Sequence, residues 1–199
     1  MTSTTAHPRK QTVSTTDLAL IATFAALIAV CAILPAFNVT GVGVPFTLQM
    51  FGIFLAGATL GARRGFLAVL LYLVVGTAGV PIFAQGHGGP SVWVGVSAGY
   101  LVAFPIAAFI VGLVSSRVAR TNPAAFTAVV SITAAIVTVA VVGTLGTIGM
   151  AIKLDVGLGV AWGYATPFFI ADIIKGVVAA IVAAAVVRAF PQLVAKRRA

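Results

Sequence analysis

The chain has 199 residues, 61% of them apolar, a mean hydropathy of +1.17, and 12 Lys/Arg against 3 Asp/Glu. Soluble domains are roughly 45–50% apolar and about 25% charged, so a charged fraction of 8% cannot cover a water-exposed surface and excludes a soluble globular enzyme. A formal charge of +9 would point to nucleic acid in a soluble protein; in a membrane protein it reads as the bias of Lys and Arg towards cytoplasmic loops.

In chain order, residues 1–16 form a polar tail with Arg9 and Lys10. The apolar run behind them has the outline of a secretory signal, and Ile28-Ala29-Val30-Cys31 that of a lipoprotein cleavage site. The equally apolar remainder favours a retained first span. Proline, glycine and charge then divide residues 17–190 into six apolar segments. The first covers 18–34 and stops at Pro35, and the second covers 45–60, ahead of the basic turn Gly61-Ala62-Arg63-Arg64-Gly65. The third covers 66–80 and ends at Pro81. The fourth covers 96–114 with Pro105 inside it, the fifth starts at Pro123 and reaches 152, and the sixth starts at Thr166-Pro167 and ends before Phe190-Pro191. Proline suits a first helical turn, where its missing N–H has no partner anyway, so Pro45, Pro123 and Pro167 read as helix starts. A span needs about 20 apolar residues, and the second and third segments fall short, as helices beside a cavity would. Residues 191–199 form a basic tail. The expected fold is an all-α integral membrane protein of six transmembrane helices, with one membrane domain.

Charge sets the expected topology. Arg9, Lys10, Arg63, Arg64, Arg117, Arg120, Arg188, Lys196, Arg197 and Arg198 fall on one side, and the loops of the other side carry only Lys153, beside Asp155. Both termini are therefore expected in the cytoplasm, with Trp93, Tyr100, Trp162 and Tyr164 near the outer boundary. No nucleic-acid partner is expected. Cys31 alone excludes an internal disulfide and reads as a small core residue.

Gly95-Val96-Ser97-Ala98-Gly99 has the G-x-S-x-G spacing of a hydrolase nucleophile, which needs a strand-to-helix elbow and a His–acid pair. Ser97 reads more simply as a helix start. Gly143, Gly146 and Gly149 read as close helix packing rather than nucleotide binding. Asn38-Val39-Thr40 is formally a glycosylation acceptor. Aspartates at 17, 155 and 172 build no metal site, and no phosphate loop is present, so ATP-driven work would need another subunit. Two features stand out. Asp172 and Lys175 lie at i and i+3 on one helix face, and an ionisable residue at a helix centre costs roughly 2.5–3.5 kcal/mol on insertion scales. Counted from Pro167 at 1.5 Å per residue, they sit about 7 and 12 Å below the outer end, as a ligand site reached from outside or as a structural ion pair. On the first segment, Ala22 and Ala26, and Ala25 and Ala29, are spaced by four, suiting close approach of another helix inside or outside the bundle.

Val44-Pro45-Phe46-Thr47-Leu48-Gln49, Leu60-Gly61-Ala62-Arg63-Arg64-Gly65, Leu71-Tyr72-Leu73, Gly79-Val80-Pro81-Ile82-Phe83-Ala84, Gly88-Gly89 and Gly99-Tyr100-Leu101, with the Pro167–Asp172–Lys175 helix, resemble the BioY family of biotin-transport proteins over most of residues 17–190. The resemblance implies a substrate-capturing S component of an energy-coupling factor (ECF) transporter in a bacterial cytoplasmic membrane. It would bind biotin from outside and work with a transmembrane T component and two ATPase subunits, without catalysis or a cofactor of its own. Asp172 would accept from the ureido N–H groups and Lys175 would donate to a biotin oxygen. Phe46, Tyr72, Phe83 and Trp93 would supply apolar walls, and Gln49 and Gln85 polar contacts. Ala22, Ala26 and Ala29 would form the docking surface for the T component. The loop after the third segment departs from the family in lacking a charged residue and in carrying Gln85 where an asparagine is frequent. The same fold selecting another water-soluble vitamin, or a membrane hydrolase using Ser97, are the competing readings.

Overall fold

The computed structural model describes residues 14–34, 36–38, 43–119 and 121–190. The expected tails with Arg9, Lys10, Lys196, Arg197 and Arg198, the stop at Pro35, Val39-Thr40 of the acceptor sequence, and Arg120 lie outside the described residues. Helix α1 is Thr15–Ile33, α2 Gln49–Leu60, α3 Ala62–Thr77, α4 Ala98–Ser115, α5 Pro123–Leu154 and α6 Leu158–Ala189. Strands β1 Phe37–Asn38 and β2 Pro45–Phe46 pair antiparallel, Phe37 opposite Phe46 and Asn38 opposite Pro45.

Local chemistry sets several boundaries. Ser14 and Asp17 form a reciprocal capping box at the start of α1. The Asn122 side chain accepts from the Ala125 N–H, and Pro123 occupies the first turn of α5. Two of the three proline starts are not starts. Pro45 sits in β2, and α2 begins four residues later. Pro167 lies inside α6, which starts at Leu158; membrane helices tolerate an internal proline because neighbours satisfy the freed carbonyl. Within α5, a π-helical stretch, Thr138–Gly143, joins the α-helical Pro123–Val137 and Thr144–Leu154.

Among the described residues, four helices are long and apolar enough to cross a membrane: α1, α4, α5 and α6. At 12 and 16 residues, α2 and α3 reach about 18 and 24 Å, short of a hydrocarbon core of about 30 Å. Every residue of α2 except Phe51 is buried, because α1, α3, α4 and α6 all pack on it. Large apolar side chains such as Ile132, Ile136, Ile170, Ile174 and Ile181 point outward at 54–64% exposure, the surface of a chain embedded in lipid.

The helices alternate in direction. At one end the Arg64 guanidinium pairs with Asp17, joining the starts of α3 and α1. Gly61 there abuts the Ser116 side chain after α4. At the other end the backbone of Gly149 on α5 lies against Gly99 on α4. Arg63, Arg64, Arg117 and Arg188 thus share the end where α1 begins, opposite Lys153 and Asp155. The glycine series packs as expected. Gly143 faces the Phe169 ring, Gly146 the Tyr100 ring and Gly149 the Gly99 backbone, each with room for no β-carbon. Cys31 is buried in the core.

Candidate functional site

At the end away from the arginines, the bundle encloses a cavity of about 270 Å³, close to the lower bound of the roughly 300–1,000 Å³ usual for small-molecule sites. Val44, Pro45 and Thr47 form one wall, Gln49 and Met50 of α2 and Tyr72 of α3 another, and Tyr100, Leu101 and Phe104 of α4 a third. Val142 from the π stretch and Phe168, Asp172 and Lys175 from α6 complete the inside. The α3–α4 connection covers the mouth with Phe83, Gln85, His87 and Ser91.

The charged part of the site is one pair. Lys175 Nζ donates to Asp172 Oδ1 at 2.7 Å, and each residue is 8% exposed. The ammonium also stands 4.0 Å from the Phe46 ring centroid, and Phe46 packs on Phe168 at 6.3 Å. Counted from Leu158, the pair lies about 21 and 26 Å along a helix of about 48 Å, so it straddles mid-helix, with Asp172 just on the outer side and Lys175 just past the midpoint, deeper than a count from Pro167 gives. The earlier start of α6 is the reason. Gln49 Nε2 donates to the Tyr72 hydroxyl at 3.1 Å, and Tyr72 meets Phe83 edge-on at 5.3 Å. A β-carbon at Gly76 would stand 2.5 Å from the Phe83 ring, so this glycine is what admits the ring to the wall.

Asp172, Lys175, Gln49, Gln85, Tyr72 and Phe83 all line the cavity. Phe46 lies behind Lys175. Trp93 is a correction: its indole N–H donates to Thr77 Oγ1 at 2.8 Å, which fixes the ring to the end of α3, away from the cavity lining. Tyr100 is another, being buried against Gly146 rather than at a lipid boundary. Trp162 and Tyr164 are exposed near the start of α6. The inward glycine at position 146 was the available signal for Tyr100. Met50, Phe104 and Phe168 were indistinguishable in the sequence from other core residues, and nothing marked the π stretch that carries Val142.

Gln85 adopts φ 61°, ψ 22°, the left-handed region where asparagine and glycine are favoured. On α1, Ala22 and Ala26 are exposed while Ala25 and Ala29 are buried, so Ala29 does not share the open face with the other two; it packs into the bundle. The G-x-S-x-G stretch runs from a 3₁₀ turn, Pro90–Val94, into α4, with Ser97 at φ −89°. This is not the strained strand-to-helix elbow of a hydrolase. Among the described residues no three His, Cys, Asp or Glu side chains cluster.

The BioY family model matches residues 5–192. The chain is 35% identical over 185 residues to a biotin transporter BioY of Rhizobium etli, covering 92% of this chain and 99% of the relative. It is 38% identical over 171 residues to a biotin transporter BioY of Rhodobacter capsulatus, covering 81% and 88%. Among solved structures, the S-component for biotin from an ECF-type ABC transporter shares the fold, with a TM-score of 0.76 at 24% identity over 92% of this chain and 95% of that one.

Proposed function

The chain belongs to the BioY family, and on that premise we propose that it is the biotin-binding S component of an ECF transporter. The observation that carries the reading is the buried Asp172–Lys175 pair opening into a small, largely apolar cavity. A ureido ring presents two N–H donors and a carbonyl. Asp172 accepts from the former, Lys175 donates to an oxygen of the ligand, and the aromatic side chains of Tyr72, Phe83 and Phe168 enclose the thioether ring and chain. Gln49 and Gln85 supply further polar contacts.

The protein crosses a bacterial cytoplasmic membrane with six helical segments and both termini in the cytoplasm. The end rich in Arg63, Arg64, Arg117 and Arg188 is cytoplasmic, in keeping with the distribution of basic residues, and the cavity mouth faces outward. Its partners are a transmembrane T component and two ATPase subunits, which supply the hydrolysis. The exposed small residues Ala22 and Ala26 of α1 let another membrane helix approach closely. The chain itself is a binding component and does no chemistry on its substrate.

Calorimetry of the purified protein with biotin tests this reading. Saturable binding at one site per chain, retained by no other water-soluble vitamin, is expected; tight binding of a different vitamin would reassign the substrate.

A further inference from the structure

We propose that His87 holds the anionic end of the ligand at the cavity mouth as an imidazolium, so that capture takes up a proton. The inference rests on the biotin reading and adds the group that meets the carboxylate. With a ureido ring on the inner Asp172–Lys175 pair, the ligand's carboxylate lies towards the mouth. Among the described residues lining the cavity, Lys175 and His87 are the side chains able to carry positive charge, and Lys175 is already held by Asp172 and Phe46.

The turn that carries His87 is ordered by its own hydrogen bonds. The Phe83 N–H donates to the His87 carbonyl at 2.9 Å, and the Gly86 N–H to the Phe83 carbonyl at 3.0 Å. The Gly89 N–H donates to the Gly76 carbonyl at 2.8 Å, tying the segment to α3. His87 Nδ1 lies 2.9 Å from the Ala84 carbonyl oxygen. A carbonyl oxygen only accepts, so Nδ1 carries the hydrogen. In a neutral ring Nε2 is then a lone-pair acceptor that repels a carboxylate, and a second proton turns it into a charged donor. The residue is exposed, at the open end of the cavity that it lines.

The other ionisable groups lining the cavity are Asp172 and Lys175 on α6, which neutralise each other, Tyr72 on α3 and Tyr100 on α4. α2 contributes Gln49 and Met50, and α5 contributes Val142. A histidine ring ordinarily changes charge between about pH 5 and 8, while a carboxylate stays ionised across that range. Affinity for the anion is therefore higher at low pH.

The test is calorimetry on the full chain with biotin and with its neutral primary amide, in two buffers of different ionisation enthalpy. Biotin affinity should fall roughly two- to fivefold from about pH 5.5 to about pH 8.5, with proton uptake on binding, and amide affinity should stay level. His87→Gln should lose roughly two- to fivefold for biotin at the lower pH, abolish the slope and spare the amide. His87→Arg should restore low-pH affinity and hold it at high pH without proton uptake. A His87→Gln protein that keeps the wild-type slope, or that loses biotin and amide equally, would overturn the proposal. If the wild-type protein binds neither compound, it is the biotin reading that fails, and this shows before any variant is made.

Discussion

The backbones of Gly149 and Gly99 touch: a β-carbon built on Gly149 would stand 2.7 Å from the Gly99 nitrogen. This contact, with Gly146 receiving the Tyr100 ring three residues earlier, sets the distance between α5 and the α4 wall of the cavity. Gly149→Ala should push the helices apart. Overpacking of this kind costs about 1–3 kcal/mol, read as a lower detergent melting temperature, and Gly157→Ala, with no neighbour within 4 Å of its β-carbon, should leave that temperature nearly unchanged. Equal melting of both variants would contradict the packing account.

The Asp172–Lys175 pair can be separated into its ligand and scaffold roles. Removing one partner of a buried charged hydrogen bond costs about 2–5 kcal/mol, or roughly thirty- to several-thousand-fold in affinity. Asp172→Asn and Lys175→Met should each weaken biotin binding on that scale. A structural pair is partly rescued when both charges go, because an unpaired buried charge is the main penalty. A ligand site stays broken. Near wild-type binding by the double variant would make the pair part of the scaffold.

Ala26 is exposed on α1 between exposed Ala22 and Val30. Ala26→Trp should leave biotin binding by the isolated chain within about twofold, since surface changes away from special contacts stay within roughly 0.5 kcal/mol, while uptake by cells is lost. Ala29→Trp, at a buried position, should unfold the protein instead. Uptake that survives Ala26→Trp would place the docking surface elsewhere.

Topology is read by labelling. In a Cys31→Ala background, Ser91→Cys should react with an impermeant maleimide from outside the cell, and Arg63→Cys only after the membrane is opened. Outside labelling at both positions would exclude the arrangement that the arginines suggest.

Much of this fold was legible because hydrophobic length and the first-turn proline Pro123 mark their helices without help from neighbours. The two misplaced starts share one cause. A proline satisfies a first helical turn, a strand end and an interior turn of a membrane helix almost equally well, and only tertiary contacts choose between them: strand pairing for Pro45 and continuation of α6 for Pro167. Asp172 and Lys175 were visible because ionisable residues are costly inside a lipid-embedded helix. Trp93 and Tyr100 were exchanged in role because an aromatic ring near a boundary suits a wall, a belt or a core. The partner that decides, Thr77 for one and Gly146 for the other, is distant in sequence.

The enclosure of α2 has a consequence for how the protein is made. Its neighbours α4 and α6 are synthesised after it, so the nascent chain holds a short apolar helix before all of its permanent surroundings exist. A helix without a lipid-facing side gains little from the bilayer alone. Its burial is completed only as the later helices arrive, and α6, which carries the ion pair, is the last of them. Maturation of the pocket and completion of the bundle are thus one event, and a chain truncated before α6 would lack both.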